Sequence, residues 1–222
     1  MSGRFVVLEG LDGVGKTTQV ALLAAWLDAL DVPHVVVREP GGTPLGEAIR
    51  ELVLGRKDLS VPPEAELLLL LAARAALLAE VVRPALERGA TVLADRFALS
   101  TLAYQARGRG LDEERVRRAI DAATGGLRPD LYVLLDVPPE EARRRRAGSG
   151  AGEDRIEAEG EAFRRTVREA YLALAASEPD VEVVSGLGTP EEVHTRIRTL
   201  LEARFPESFV RIPSGRGQAR GE

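Results

Sequence analysis

Cysteine is missing from all 222 residues, which excludes disulfides, thiolate metal sites and a cysteine nucleophile. Asparagine is missing too, and with it the Asn-Lys-x-Asp signature that guanine-reading nucleotide switches typically need. His34 and His194 stand alone and read as ordinary strand or helix residues. Lysine is reduced to Lys16 and Lys57 against 28 arginines, a total that carries no functional conclusion by itself. Long hydrophobic runs are absent: Leu67 to Leu71 is bounded by Glu66 and Arg74, too short to span a bilayer, and reads as buried helix. A net charge of -5 advertises neither nucleic acid nor an anionic membrane as a partner. Met1 leads almost directly into a first strand with no room for a signal peptide, so a soluble cytoplasmic protein is the expectation.

A hydrophobic content of 45% with 29% charge is that of an ordinary globular chain. At this length it suits one medium α/β domain with a real core. Five short apolar, β-branched runs stand out: Phe5 to Leu8, Val35 to Val37, Thr91 to Ala94, Leu131 to Leu135 and Val181 to Val184. Helical patterns separate them, over Gln19 to Leu30, Glu64 to Glu87, Asp112 to Ala123, Glu157 to Ala176 and Glu191 to Ala203. Continuous apolar strands alternating with helices predict a parallel sheet covered on both faces, joined by right-handed crossovers. Ligands of such sheets bind beyond the carboxyl ends of the strands. The domain is expected over residues 1–205, with a mobile lid near 143–157 and a disordered polar tail over 206–222.

Residues 10 to 17 complete a G-x-x-x-x-G-K-[ST] phosphate loop between the first strand and the first helix. Gly10, Leu11, Asp12, Gly13, Val14 and Gly15 let successive N–H groups converge on an anion, and the new helix adds its positive end. Lys16, expected in a solvent-facing loop, would reach the β- and γ-phosphates, with the Thr17 hydroxyl on Mg²⁺ and Thr18 beside it. A nucleoside triphosphate is the ligand this arrangement fits. The expected fold is therefore α/β, a three-layer α/β/α of the P-loop NTPase type on a five-stranded parallel sheet.

Phosphoryl transfer needs two phosphates aligned and their charge neutralised. Arginines in loops are the informative residues, because the guanidinium fork matches phosphate oxygens. Arg38 ends the second strand and opens the tight turn Arg38-Glu39-Pro40-Gly41-Gly42. Asp95-Arg96 follows the third strand, where P-loop enzymes station a Mg²⁺- or water-holding aspartate. Arg143 to Arg146, followed by Gly148 to Gly152 and by Arg155, form an arginine-bearing segment suited to closing over a reacting phosphate. Arg155, framed by acids, is the preferred lid arginine and Arg145 the second.

These motifs resemble the thymidylate kinase family of nucleoside monophosphate kinases over residues 4 to 204. The resemblance is carried by Glu9 to Thr17, Arg38 to Gly42, Asp95-Arg96-Phe97 with Ser100-Thr101 and Ala103-Tyr104-Gln105, Arg128-Pro129-Asp130, Leu135-Asp136-Val137, and Asp154-Arg155-Ile156-Glu157. It implies transfer of the ATP γ-phosphate to dTMP, giving ADP and dTDP for dTTP synthesis, with Mg²⁺ and usually as a homodimer. Lys16 and Thr17 would serve ATP and its metal, with Asp95 near the metal. Arg38 and Arg96 would hold the acceptor phosphate, with Asp12 near its sugar and phosphate. Tyr104 would sit against the sugar, and Arg74, Thr101 and Gln105 would face the thymine edge, with Pro40 and Ser100 in the same acceptor site. Some members place an arginine within the phosphate loop; here Val14 stands there, so the chain resembles the bacterial subgroup whose lid supplies it. The family usually stacks a phenylalanine on thymine four residues before the base-facing arginine; here that position is Leu70.

Overall fold

The computed structural model describes residues 3–148, 155–156 and 159–209. Its elements run β1 (Phe5–Glu9), α1 (Lys16–Ala29), β2 (His34–Arg38), α2 (Pro44–Arg50), α3 (Pro63–Leu77), α4 (Arg83–Glu87) and β3 (Thr91–Asp95). After these come α5 (Ala98–Thr101), α6 (Glu113–Thr124), β4 (Leu131–Asp136), α7 (Pro139–Gly148), α8 (Glu161–Ser177), β5 (Val181–Ser185), α9 (Pro190–Arg204) and α10 (Pro206–Phe209). The strands form one parallel sheet in the order β2-β3-β1-β4-β5. This is the α/β architecture that the alternating runs predict.

β1 shows why both faces need helices. Phe5 and Val7 point to one side, against Leu77, Leu78 and Val82. Val6 and Leu8 point to the other, among Val20, Leu23 and Leu27 of α1. The two-residue period of a strand thus feeds two apolar layers, each large side chain contributing roughly 1.5–3 kcal/mol on burial. Glycine, not a side-chain cap, starts α1: Gly15 has φ 100° and its carbonyl accepts from Gln19 N at 3.0 Å.

The helix expected over Glu64 to Glu87 is interrupted. A π-helical turn, Leu78–Val82, separates α3 from α4, just before Pro84. Proline lacks the N–H and crowds the carbonyl four residues back, so the wider turn lets the chain continue. Two more π-helical segments, Glu51–Gly55 and Leu102–Gly108, extend α2 and α5.

The first four residues of the tail expected from Pro206 are helical. α10 is ordered, with Phe209 buried and its ring 5.5 Å from that of Trp26 on α1. Two aromatic rings and an apolar contact outweigh the polar residues around them. Residues 210–222 lie outside the described residues. Among the described residues no helix is long and apolar enough to cross a membrane.

Candidate active site

The carboxyl ends of β1, β2 and β3 converge, and the residues that follow them line two adjoining clefts. In the first register pairs, Leu8 lies opposite Asp95 and Asp95 opposite Arg38, so three loops start at one level. The phosphate loop fits only with glycine at its tight points. At Gly10, φ is 133° and a Cβ would come 2.5 Å from the Leu135 carbonyl oxygen. At Gly13, φ is 84° and a Cβ would come 2.1 Å from the Ala142 oxygen. The loop is therefore wedged between β4 and α7.

The first cleft runs along this loop and holds Asp12, Gly13, Val14, Gly15, Lys16, Thr17 and Thr18, with Arg38, Asp95, Arg96 and Arg144 to Arg146 around it. Gly10 and Leu11 sit behind it. Lys16 differs from the solvent-facing position expected: it is 6% exposed, and its Nζ donates to the carbonyls of Leu11 at 2.8 Å and Gly10 at 3.2 Å. Burial, then Arg96 nearby, pushes its pKa down from the usual lysine value. Thr17 Oγ1 donates to Asp95 Oδ2 at 2.7 Å. These two hard oxygen donors at the mouth of a phosphate loop suit Mg²⁺, which takes few protein ligands and fills its octahedron with phosphate oxygens and water.

The second cleft takes Asp12, Pro40, Leu70, Arg74, Arg96, Ser100, Thr101, Tyr104 and Gln105, with Leu54 and Ile156 closing its apolar side. Arg74 is 3% exposed and forks onto Glu39, with Nη2 2.6 Å from Oε2, and also donates to Thr101 Oγ1 at 2.9 Å. Its Nη1 is buried with no partner among the described residues. Removing a guanidinium from water is costly unless every N–H is used, so this nitrogen is a donor awaiting an acceptor.

Asp12, Glu39, Arg50 and Arg96 line both clefts. Arg96 is the hub. Its Nη2 donates to Asp12 Oδ1 at 2.6 Å and to Tyr104 OH at 3.4 Å, and its Nη1 to Ser100 Oγ at 3.0 Å and Tyr171 OH at 3.2 Å. Arg96 has φ 75°, a left-handed conformation that costs a non-glycine residue on the order of 1 kcal/mol. Its N–H to the Leu8 carbonyl, at 3.0 Å, and these side-chain bonds hold it there. For Asp12, burial pushes the pKa up but Arg96 and then Lys16 outweigh it, leaving the carboxyl well below its usual range.

Arg38 is brought to the first cleft, not the second. Its Nη2 forks onto Glu47 at 3.0 and 2.9 Å and its Nη1 donates to Pro40 O at 3.0 Å. Arg145 lines the first cleft while donating to Glu141 at 2.7 Å and to Gly186 O at 2.9 Å. Arg155, expected at the transferred phosphate, is held elsewhere. Its Nε donates to Val53 O at 2.8 Å, its Nη2 to Glu66, and it lines neither cleft. A buried carboxylate attracts it more strongly than solvent does, so its side chain is spent on α3. Arg143 to Arg146 are helical residues of α7, and Cβ of Arg146 would lie 3.3 Å from a Cβ built on Gly13. Asp154 and Glu157 of the quoted motif, and most of the glycine stretch, lie outside the described residues.

The family model for thymidylate kinase matches residues 8–197. The chain belongs to this family. A thymidylate kinase of Carboxydothermus hydrogenoformans is 46% identical over 202 residues, 91% of this chain and 98% of that protein. One of Synechococcus sp. (strain CC9605) is 50% identical over 216 residues, 95% of this chain and all of the relative. The crystal structure of thymidylate kinase from Ehrlichia chaffeensis superposes with a TM-score of 0.72 at 28% identity, covering 90% of this chain and 100% of that one.

Within this thymidylate kinase fold, four residues that the sequence did not mark for a role sit at or behind the clefts. Arg50 lines both and donates to Pro40 O at 3.0 Å. Glu39 anchors Arg74. Glu9 is fully buried and accepts from Phe97 N, Ser100 N, Ser100 Oγ and Tyr171 OH at 2.6 to 3.1 Å. Burial pushes its pKa up, against Arg96 and Ser100, which pull it down. Tyr171 completes the same network from α8. Position at a strand end could have flagged Glu9 and Glu39; nothing local marks Arg50 or Tyr171.

Proposed function

We propose that this chain transfers the γ-phosphate of ATP to dTMP, giving ADP and dTDP, with the donor in the first cleft and the acceptor in the second. The observation that carries this reading is the shared wall: Asp12 and Arg96 line both clefts, so phosphate ends directed toward them from either side would meet there. Two phosphates meeting end to end beside a buried guanidinium is what in-line transfer requires.

In this reading Lys16 leaves its two loop carbonyls and binds the β- and γ-phosphates, while Arg96 holds the acceptor phosphate and Asp12 orients Arg96. Thr17 and Asp95 would hold Mg²⁺, which when bound would neutralise charge on the donor phosphates. Arg38 and Arg50 reach the acceptor phosphate from the β2 side, Arg38 by exchanging Glu47 for it. Thymine lies against Pro40 and Leu70, with its 4-carbonyl on Arg74 Nη1 and its imide N–H on Gln105, beside Thr101. Tyr104, hydrogen-bonded toward Asp12 at 3.4 Å, covers the sugar and disfavours a 2′-hydroxyl. Ser100 keeps Arg96 in place. From α7, Arg146 is the arginine that reaches the transferred phosphate, supported by its closeness to Gly13 and its electrostatic pull on Asp12; Arg145 lies beside the donor.

The enzyme works in the cytoplasm as a homodimer in this account. Leu45 on α2 and Leu68 on α3 are 53% and 64% exposed on helices packed against one another, an apolar face that a second copy would cover. Steady-state turnover with ATP, Mg²⁺ and a panel of nucleoside monophosphates and nucleosides tests the function. A clear preference for dTMP supports it; equal use of other acceptors, or turnover of unphosphorylated nucleosides, defeats it.

A further inference from the structure

Glu66 is 0% exposed on α3 and gathers three side chains distant in sequence. Gln105 Nε2 donates to its Oε1 at 2.8 Å. Arg109 bonds both oxygens at 3.3 Å, and Arg155 Nη2 bonds Oε2. A carboxylate flanked by two guanidiniums stays ionised and can only accept hydrogen bonds. The Gln105 amide must therefore turn its NH₂ toward Glu66. An amide is planar, so its Oε1 then points away from Glu66, and Gln105 lines the acceptor cleft.

Arg74 and Gln105 both line the cleft, which therefore has a donor to offer, the unpartnered Nη1 of Arg74, and an acceptor, the carbonyl oxygen that the Glu66 bond leaves over on Gln105. A keto-imide pyrimidine edge offers a carbonyl and an N–H and matches that pair. A 4-aminopyrimidine edge offers NH₂ and a bare ring nitrogen and opposes it at both positions. Arg74 cannot reverse its polarity, but a glutamine amide can flip at little cost unless something locks it.

We infer that Glu66 is a positioning residue that locks the Gln105 amide and so makes the acceptor cleft select keto-imide over 4-amino pyrimidine monophosphates. The inference rests on the proposed dTMP reading of that cleft. Glu66 touches no ligand; it acts through Gln105, 2.8 Å away. Its two arginines serve to keep it charged.

The test is the ratio of kcat/KM for dTMP to that for dCMP. In Glu66→Gln the replacement amide can donate as well as accept, Gln105 is free to flip, and the ratio falls about tenfold or more, as loss of a buried directional hydrogen bond predicts. Arg109→Ala loosens Glu66 without touching Gln105 and leaves the ratio within about twofold. Should Glu66→Gln not fold, Glu66→Asp serves: the long arginines follow the shorter carboxylate, Gln105 on its helix does not, and the ratio again falls. An equal loss for both monophosphates in these variants would reduce Glu66 to a structural residue and overturn the inference. A wild-type enzyme with no preference for dTMP would instead defeat the function proposed above.

Discussion

Arg96 Nη2 lies 2.6 Å from Asp12 Oδ1, and this pair forms the boundary between the two clefts. Asp12 comes from the phosphate loop and Arg96 from the end of β3, so a charged hydrogen bond ties the walls of the two clefts together. In the proposed reaction, Arg96→Ala removes the cation that faces the charge developing on the phosphoryl oxygens. Its kcat is expected to drop about 10²–10³-fold, the usual cost of one positioned donor to a developing anion. Single-turnover kinetics checks this, because a mere weakening of dTMP binding would be overcome by raising dTMP and a lost transition-state contact would not.

The same pair sets a pH dependence. Asp12 is held below its usual carboxylate range in the folded state, through Arg96 and Lys16 overcoming burial. A depressed folded pKa gives stability that is present above the unfolded pKa of about 3.9 and is lost as pH falls toward the folded value. The difference in Tm between the wild type and Asp12→Asn should therefore stay level from about pH 7 to pH 5 and shrink below about pH 4. A difference that shrank near neutral pH would contradict the assignment of the charge to Asp12.

The two candidate arginines separate by kinetics. Arg155 is bound to Glu66 and to Val53 O, beside Ile156 in the acceptor cleft, whereas Arg146 faces the phosphate loop. Arg146→Ala is expected to lower kcat roughly 10²-fold with little change in the KM for dTMP, the pattern of a contact made in the transition state. Arg155→Ala is expected to raise that KM and lower Tm by a few degrees, while kcat changes about threefold or less. Exchange of these two patterns would return the lid role to Arg155.

Leu70 tests the base pocket. It lines the acceptor cleft beside Arg74 with an aliphatic side chain where a ring could stack. Leu70→Phe should tighten dTMP binding by a factor of a few to about ten, as an added aromatic pair allows. Calorimetry giving an unchanged Kd would mean that this side chain does not meet the base.

Most of the sheet was legible because buried parallel strands are continuous apolar runs. Each strand nonetheless extends one residue past its run, to Glu9, Arg38, Asp95, Asp136 and Ser185. These polar residues keep the ladder, as Asp136 opposite Ser185 shows, and close the strands at their carboxyl ends. Hydrophobic continuity cannot see them. The phosphate loop was legible because its glycines answer local backbone demands at Gly10 and Gly13. The place of Arg155 was not. Its partner Glu66 is 89 residues away, and an ion pair across that separation is set by the tertiary fold. Phe209 was hidden for the same reason: Trp26, which it meets, lies on the first helix.

The most direct measurement follows the phosphorus. Incubating the protein with ATP, Mg²⁺ and dTMP and resolving the products by ³¹P NMR should give ADP and dTDP in equal amounts, with inorganic phosphate negligible. ATP consumed to inorganic phosphate at a rate indifferent to dTMP, with no dTDP formed, would contradict the two-cleft account.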